Sequence, residues 1–322
     1  MFRRRQGKPY TALFKNKKTL LFFYGENMNK SVGAVQAAFS SIFFGFIPFF
    51  ALPLYELGYT SDLTLFYRFF TAAVLMGLFL FAKGKSFAIS FKSLCSIMLH
   101  GANYFIIALF LFLALRYADS GLVTTVFYTN PIFVLLLSAV FFREKLECYK
   151  IVLICLTSLG VGLLSGFFSG NIAISMLGLV LSLLAGLGYA VYIVLLMKLP
   201  ARDVSREVFS FYLFLFGTLA SLVYMLFSGN FFIASTVDEW MYILGSALIT
   251  GVASNMLLIY ALPQIGTVFV AIIGVLEPLT AVFIGIFYFG EGMTLEKAFG
   301  ILIVGCAIIL LSVIPKLRKN NI

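Results

Sequence analysis

The sequence places an ionisable residue in the middle of a long apolar run. Residues 266–289 read GTVFVAIIGVLEPLTAVFIGIFYF, and Glu277 and Pro278 lie at the centre of this run. A carboxylate is costly in hydrocarbon, and proline should leave the carbonyl of Gly274 without its usual helical donor, so that this carbonyl needs a partner from protein or water. The segment is predicted to face the interior of a helix bundle. There Glu277 could bind a substrate amine or exchange a proton; the alternative is a structural carboxylate bonded to a neighbouring helix.

Arg68 is a second charged residue inside an apolar segment. It lies within LTLFYRFFTAAVL, about 10 Å below the membrane surface if the helix rises about 1.5 Å per residue. Three interpretations stay open. The side chain could snorkel to the interface, pair with Glu56 or Asp119, or bind an anionic group of a substrate.

The third apolar segment carries polar residues on one helical face. His100, Asn103 and Tyr104 follow the i, i+3, i+4 spacing that brings side chains together on a helix. This face could form the wall of a polar cavity. The alternative is that His100 is hydrogen-bonded inside the bundle and has only a structural role.

Other candidates are tyrosines and an asparagine in apolar segments. Mid-membrane tyrosines need hydrogen-bond partners and could stack on a flat substrate, although with 16 Tyr and 38 Phe in the chain plain packing is the alternative for each. Asn255 ends a series of small residues, Ala247 and Gly251, whose spacing of four lets helices approach closely. This asparagine could therefore reach a cavity. The tyrosines are Tyr128, Tyr189, Tyr192 and Tyr260.

Two stretches of the chain are related by a constant offset of 147 positions. Residues 120–150 read SGLVTTVFYTNPIFVLLLSAVFFREKLECYK and correspond to the stretch that contains Glu277. Pro131 lies opposite Pro278, and Asn130 lies opposite Glu277. A shared offset without gaps predicts an internal repeat. Because Asn130 cannot titrate, any proton step would differ between the halves. The offset also relates Leu115 to Leu262, Glu144 to Glu291 and Lys150 to Lys297.

The composition is that of an integral membrane protein. Of the 322 residues, 62% are hydrophobic and 11% are charged, whereas soluble domains carry about 25% charged residues. The net charge of +10 resides mainly in the N-terminal residues and short loops, which is typical of cytoplasmic loops, so no nucleic-acid partner is expected. The single histidine and the scattered Cys95, Cys148, Cys155 and Cys306 predict neither a disulfide framework nor a metal site.

Ten apolar segments approach the roughly 20 residues that a helix needs to cross a membrane. The predicted fold class is an all-α integral membrane protein with ten transmembrane helices. The predicted spans are 32–57, 63–82, 94–115, 121–142, 151–168, 176–199, 208–228, 240–262, 266–289 and 295–314.

Positive charges predict the orientation of these spans. Eight of the 23 Lys and Arg precede residue 31, and every second loop is basic, whereas the other face holds only Arg116 and Lys297. The basic face should be cytoplasmic, with both termini inside and the protein in the inner membrane. Two halves of five spans would form an inverted repeat with a site near the midplane, as in many secondary transporters. The predicted units are a basic tail 1–30, a first repeat 32–170, a second repeat 172–315 and a basic tail 316–322.

These motifs resemble the drug/metabolite transporter superfamily, and within it the EamA-type permeases. In that family two five-helix repeats each carry a mid-span proline in the fourth helix, followed by an acidic turn and a Gly-rich fifth helix. Here the motifs read NPIFVLLLSAVFFREKL and EPLTAVFIGIFYFGEGM, followed by ICLTSLGVGLL and ILIVGCAIILL. Arg68 is placed where the family often has an arginine, and Arg143 in place of Gly290 is a small departure. The resemblance implies transport of small metabolites, often export.

The predicted function is secondary transport by alternating access at a midplane cavity. The expected substrates are amino acids or similar amphipathic metabolites, and export coupled to protons is a further hypothesis. The runner-up, a sugar-phosphate or nucleotide-sugar exchanger, should have several buried Lys or Arg; a channel or scramblase ranks lower. The sequence shows no nucleophile–base pair, no HExxH motif and no P-loop. Neither an enzyme nor a nucleotide cofactor is therefore predicted. The expected partners are membrane lipid, the substrate and protons, with a monomer or weak dimer. Helices are predicted to bend at Pro131, Pro278, Gly45, Gly186 and Gly188.

Overall fold

The structure is a computed structural model that describes residues 30–118, 120–142, 147–164, 175–199, 201, 203–229, 232–290 and 292–320. Within these ranges all regular structure is helical. Several predictions therefore concern residues outside the described ranges. They are the basic tail before residue 30, the partner Asp119, the loop charges Arg143, Lys145 and Arg202, the acidic pair Glu144 and Glu291, and the join between the halves at 169–171.

Among the described residues, seven α-helices lie in the first half of the chain, and seven α-helices and one π-helical segment lie in the second half. The first half contains α1 (Lys30–Gly45), α2 (Ile47–Glu56), α3 (Ser61–Ala82), α4 (Phe91–Tyr117), α5 (Ser120–Phe127), α6 (Asn130–Phe142) and α7 (Cys148–Leu164). The second half contains α8 (Met176–Lys198), α9 (Arg206–Ser228), α10 (Val237–Gly245), a π-helical segment Ser246–Ala253, α11 (Ser254–Ile265), α12 (Thr267–Ile273), α13 (Leu276–Phe287) and α14 (Leu295–Asn320).

Consecutive short helices stack into longer membrane-crossing units. Among the described residues, eight helical segments are long and apolar enough to cross a membrane, and α7 is a shorter apolar helix. The prediction of an all-α multi-pass membrane protein is confirmed. The count of ten spans and the inverted relation of the halves stay predictions.

The spans that contain a proline near the midplane are broken one turn before it. Helix α5 ends at Phe127 ahead of Pro131, and α12 ends at Ile273 ahead of Pro278. Proline lacks an N–H and its ring clashes with the preceding turn, so the helical ladder is interrupted at these positions. The freed carbonyls are satisfied locally. Gly274 O accepts from the backbone N–H of Glu277 at 2.9 Å, and Phe127 O accepts from Asn130 Nδ2 at 3.0 Å.

This result refines the expectation for Gly274. The carbonyl needs neither water nor a neighbouring helix, because the chain tightens into a three-residue turn at this position. The polar space beside Glu277 therefore has another origin, which is the cavity described below.

Packing between the helices is unchanged when the halves are exchanged. Helix α4 packs on α8, and α11 packs on α1. These two contacts are equivalent, because the repeat relates α4 to α11 and α1 to α8. Helix α3 packs on α9, and α7 packs on α14, which are contacts between equivalent helices. This pattern is what a two-fold relation between two repeats requires.

The two ends of the bundle differ in charge. The basic end carries loops 83–90 and 199–205, where Lys85 pairs with Glu207 at 3.0 Å. Here Asp203 accepts hydrogen bonds from Ser90 N–H and Ser93 Oγ. Burial alone would raise the pKa of Asp203, but the hydrogen bonds at Ser90 outweigh it and leave this pKa below its ordinary value. The opposite end carries the loop 57–60 and residues 232–236, and we call it the charge-poor end because it is poor in Lys and Arg.

Candidate transport site

A cavity lies between the two halves near the middle of the spans. The space between atoms at this position is about 370 Å³, which includes space open to the outside. Spans from both halves contribute to its wall, because α4 and α5 meet α8 and α13 here. The lining residues are Phe44, Ile47, Arg68, Tyr104, Ile107, Ala108, Leu111, Phe127, Tyr189 and Glu277.

A second lobe of about 310 Å³ continues from this cavity towards the charge-poor end. The two lobes share Glu277 and several apolar residues of their walls. The second lobe also reaches Leu115 at the end of α4 and Val123 in α5. We call this second space the outer lobe. The outer lobe therefore extends the midplane cavity towards the charge-poor end.

Glu277 is held at the cavity by the broken span. It lies in the first turn of α13, where the N-terminal N–H groups of a helix favour a negative charge. Its carboxylate makes no hydrogen bond or ion pair with any residue that the structure describes. A carboxylate in this position is available to a ligand that enters the cavity.

Arg68 approaches the same cavity from α3. Its Nη2 donates to Thr250 O at 3.0 Å, and its guanidinium carbon lies 5.4 Å from the centre of the Phe112 ring. The residue is 3% exposed, so it does not snorkel to the interface as one of the expectations held. No ion pair joins Arg68 to Glu56 or to Glu277 within the described chain. Two opposite charges therefore face one space without neutralising each other by direct contact.

The hydrogen-bond partner of Arg68 lies in the π-helical segment. Thr250 lies inside this segment, and π-helical turns are frequent at functional sites. The Thr250 carbonyl also accepts from Ser254 Oγ at 2.5 Å. The sequence carries a signal for this feature that our sequence analysis did not use, because a Gly-Ser pair, Gly245 and Ser246, lies where the segment begins.

Aromatic side chains surround the two charges. Tyr104 contacts Phe69 and Tyr192 edge-on or tilted, and its hydroxyl is buried without a hydrogen-bond partner among the described residues. Tyr189 packs against Phe44 and Phe127. Sequence reasoning did not single out Phe44 or Phe127, because phenylalanine is too frequent in this chain to be informative.

Four candidates from the sequence line this cavity, and the other candidates lie outside its lining. Arg68, Tyr104, Tyr189 and Glu277 line it. The others use polar groups inside the bundle. Asn103 Nδ2 donates to Gly188 O at 3.2 Å, Asn130 Nδ2 to Phe127 O, and Tyr128 Oη to Ile272 O at 3.1 Å. His100 Nδ1 lies 2.7 Å from Ser96 O, and Asn255 Oδ1 accepts from Tyr192 at 2.8 Å.

The glycines expected to act as hinges have another visible role. Helix α8 runs unbroken through Gly186 and Gly188, so neither residue bends it here. Gly186 allows close approach, because an added Cβ would lie 2.7 Å from Phe127 O. Gly45 ends α1 and meets the other broken span, where an added Cβ would lie 2.6 Å from Glu277 O. Flexibility at these positions stays a prediction.

Tyr260 lies at the basic end rather than in mid-membrane. Its hydroxyl donates to Glu207 at 2.9 Å, and the Arg206 guanidinium carbon lies 4.3 Å from its ring centre. This tyrosine belongs to the charged network that also includes Lys85. Tyr260 does not belong to the cavity lining described above.

Comparison with known proteins decides the family. The sequence matches the EamA-like transporter family twice, over residues 22–166 and 176–313. The chain belongs to the EamA-like transporter family. As an EamA-like transporter, it carries the two family repeats that the 147-residue offset predicts, and it is a multi-pass membrane transporter of the drug/metabolite type.

Relatives of this EamA-like transporter carry no assigned substrate. The uncharacterized transporter YxxF of Bacillus subtilis (strain 168) is 25% identical over 285 residues, which cover 85% of this chain and 88% of YxxF. An uncharacterized transporter of Archaeoglobus fulgidus is 26% identical over 58% of this chain and 65% of its own length. A solved crystal structure superimposes with a TM-score of 0.71 at 17% identity, covering 90% of this chain and 99% of that one. That likeness shows the fold alone.

Proposed function

We propose that this transporter moves a small amphipathic metabolite with one cationic and one anionic group, of which an amino acid is the simplest example. The observation that carries the proposal is the placement of Arg68 and Glu277 on one cavity without a direct ion pair. A zwitterion would present its carboxylate to Arg68 and its ammonium group to Glu277. Each charge of the ligand would then have a partner inside the membrane.

The walls of the cavity support an amphipathic ligand. Phe44, Phe127 and Tyr189 offer apolar and aromatic surface for a side chain, and Tyr104 offers an unpartnered hydroxyl. Aromatic faces also attract cations.

The charge of the cavity disfavours the runner-up. A sugar phosphate or nucleotide sugar carries at least two negative charges, which should be met by several Lys or Arg. Arg68 is the one cationic residue in the cavity lining that the structure describes, and the carboxylate of Glu277 would repel an anion.

The transport mode and location follow the family. We propose alternating access of the two halves around this cavity, export as the direction, and Glu277 as the group that exchanges a proton. The protein would lie in the inner membrane with both termini in the cytoplasm. A channel or scramblase, the remaining alternative, would show flux that does not saturate with substrate.

Thermal-shift measurements on the purified protein test the substrate class. A ligand that binds the native state raises the unfolding temperature by mass action. We expect an amino acid to raise it more than either the matching amine without a carboxylate or the matching acid without an amine. Sugar phosphates should give no shift. A shift with sugar phosphates alone would replace the proposed substrate class by the runner-up.

A further inference from the structure

One tyrosine joins the two broken spans. Tyr128 lies in the break between α5 and α6 and is 2% exposed. Its hydroxyl donates its one proton towards two carbonyls near the end of α12, Ile272 O at 3.1 Å and Ala271 O at 3.3 Å. Both acceptors immediately precede the break in the second half of the chain. A side chain from the first break is therefore bonded to the backbone of the second.

The backbone of the second break differs from the first at the point that this hydroxyl reaches. In the first half, Tyr128 N–H donates to Thr124 O at 2.9 Å, with the regular helical spacing of four residues. The offset of 147 relates these two residues to Val275 and Ala271. Val275 N–H donates instead to Ile272 O at 3.2 Å, with a spacing of three. The Tyr128 hydroxyl thus takes the place of a helical N–H at Ala271 O.

The tightened turn leads directly to Glu277. The N–H of Glu277 donates to Gly274 O at 2.9 Å, again with a spacing of three residues. The turn therefore sets the direction in which the next side chains leave the span. A return of Val275 N–H to Ala271 O would relax the turn and rotate Glu277 about the axis of the span.

The repeat does not supply the same bond in the other direction. The counterpart of Tyr128 is Val275, whose side chain cannot donate a hydrogen bond. The first break is satisfied within its own span, where Asn130 Nδ2 donates to Phe127 O at 3.0 Å. The tyrosine hydroxyl therefore acts on the break of the half that carries the buried carboxylate.

We propose that Tyr128 is a positioning residue of the transport site. Its hydroxyl keeps the turn at residues 271–277 tight and thereby directs the Glu277 carboxylate into the cavity. Tyr128 lines neither the cavity nor its outer lobe, so it acts through the backbone and not by touching a ligand. This inference rests on the proposed function of Glu277 but does not depend on the substrate class.

Tyr128→Phe tests this role with little change in packing. The ring belongs to a small apolar cluster with Val161, Leu164, Val275 and Val304. Phenylalanine keeps the ring in this cluster and removes only the hydroxyl. We expect Val275 N–H to return to Ala271 O, and the Glu277 carboxylate to turn away from the cavity.

The readout is the reaction of Glu277 with a water-soluble carbodiimide, which modifies the carboxyl groups that it can reach. Membrane vesicles are labelled, and mass spectrometry measures the modified fraction of the peptide that contains Glu277. We expect this labelling to fall about fivefold in Tyr128→Phe, the factor that corresponds to the loss of one hydrogen bond. Glu56 is exposed and serves as the internal reference, because its labelling should not change.

Tyr212→Phe is the matched control. The Tyr212 hydroxyl also donates to a backbone carbonyl, that of Phe87 at 2.8 Å, and neither residue lines the cavity. The control therefore removes the same kind of bond from another part of the bundle. Labelling of Glu277 in Tyr212→Phe should equal that in the unmodified protein.

Three outcomes would overturn the positioning role. One is equal labelling of Glu277 in Tyr128→Phe and the unmodified protein, including no labelling of either. The second is faster labelling in Tyr128→Phe, which would indicate loosening of the bundle. The third is a fall of the same size in Tyr212→Phe. Tyr128→Met, which also lacks the hydroxyl and has a flexible side chain, is the second variant should Tyr128→Phe not fold.

The labelling result is separable from the proposed substrate class, because the reaction needs no substrate. If labelling falls as expected but no amino acid raises the unfolding temperature, the substrate class fails and the positioning role stands. If an amino acid binds and Tyr128→Phe leaves the labelling of Glu277 unchanged, the positioning role fails and the substrate class stands.

Discussion

At the scale of single residues, the two buried charges have different surroundings. Arg68 is anchored by Thr250 O and by the Phe112 ring, so its position is fixed by the protein. Glu277 has no such partner for its carboxylate within the described residues. Buried polar groups are normally paired. The free carboxylate is therefore the group in this cavity with the most to gain from a ligand.

Glu277→Gln is the most direct change at this scale. It keeps the size of the side chain and removes its charge, so we expect transport to fall by about tenfold or more, since a hydrogen bond to a charged group contributes about 1.5–3 kcal/mol. Expression and unfolding temperature should change little, because the carboxylate makes no contact that holds the fold. Uptake or counterflow in proteoliposomes measures the effect.

The control for this variant is Glu56→Gln. Glu56 lies exposed at the charge-poor end, so its variant has the same change in charge without touching the cavity. It should transport as the unmodified protein does. Unchanged transport in Glu277→Gln would remove this carboxylate from the mechanism.

The sequence predicted which residues were unusual better than it predicted what they contact. Glu277 and Arg68 were found because charge inside an apolar run is rare. Asn103 and Asn130 were equally visible, yet neither lines the cavity, and each bonds to a backbone carbonyl. Periodicity places residues on one face of a helix but does not fix the rotation of that face in the bundle.

At the scale of helices, the breaks follow from prolines and the close contacts from glycines. Helix α8 crosses the broken span α5–α6 where Gly186 faces Phe127 O, and α1 meets the broken span α12–α13 where Gly45 faces Glu277 O. Each half thus supplies one glycine that lets its helix approach a backbone oxygen of the broken span in the other half. The π-helical segment begins at the Gly-Ser pair Gly245 and Ser246, and the carbonyl of Thr250 inside it accepts the hydrogen bond from Arg68.

Gly186→Ala tests the close approach of these helices. Alanine normally stabilises a helix interior by about 0.5–1 kcal/mol relative to glycine. Here the new methyl group would collide with a backbone oxygen that cannot swing away, and overpacking costs about 1–3 kcal/mol. We expect the unfolding temperature to fall by a few degrees in a fluorescence melt.

Gly305→Ala is the matched control for this melt. Gly305 lies inside α14, and an added Cβ would meet nothing within 4 Å. Its unfolding temperature should stay the same or rise. If both alanines behaved alike, close packing at Gly186 would not be the reason for the glycine.

At the scale of the whole molecule, the halves share one packing plan. Helix contacts are preserved on exchange, and the outer lobe is lined by α4 and α5 of the first half together with Glu277 and Ala281 of α13. The constant offset in the sequence was sufficient to predict the repeat. It could not predict where the cavity between the halves lies, because a repeat in the sequence does not fix how its two copies pack.

Orientation in the membrane is the last prediction and follows from charge. Loops at the basic end hold Lys83 and Lys85, whereas Glu56 lies at the other end, so the positive-inside rule places Lys83 in the cytoplasm. In intact cells, Glu56→Cys should react with an impermeant thiol reagent and Lys83→Cys should react only after the membrane is opened. Tags at both termini should behave like Lys83→Cys. Tags on opposite faces would require an odd number of spans, and the two repeats could not then be related by exchange as their packing indicates.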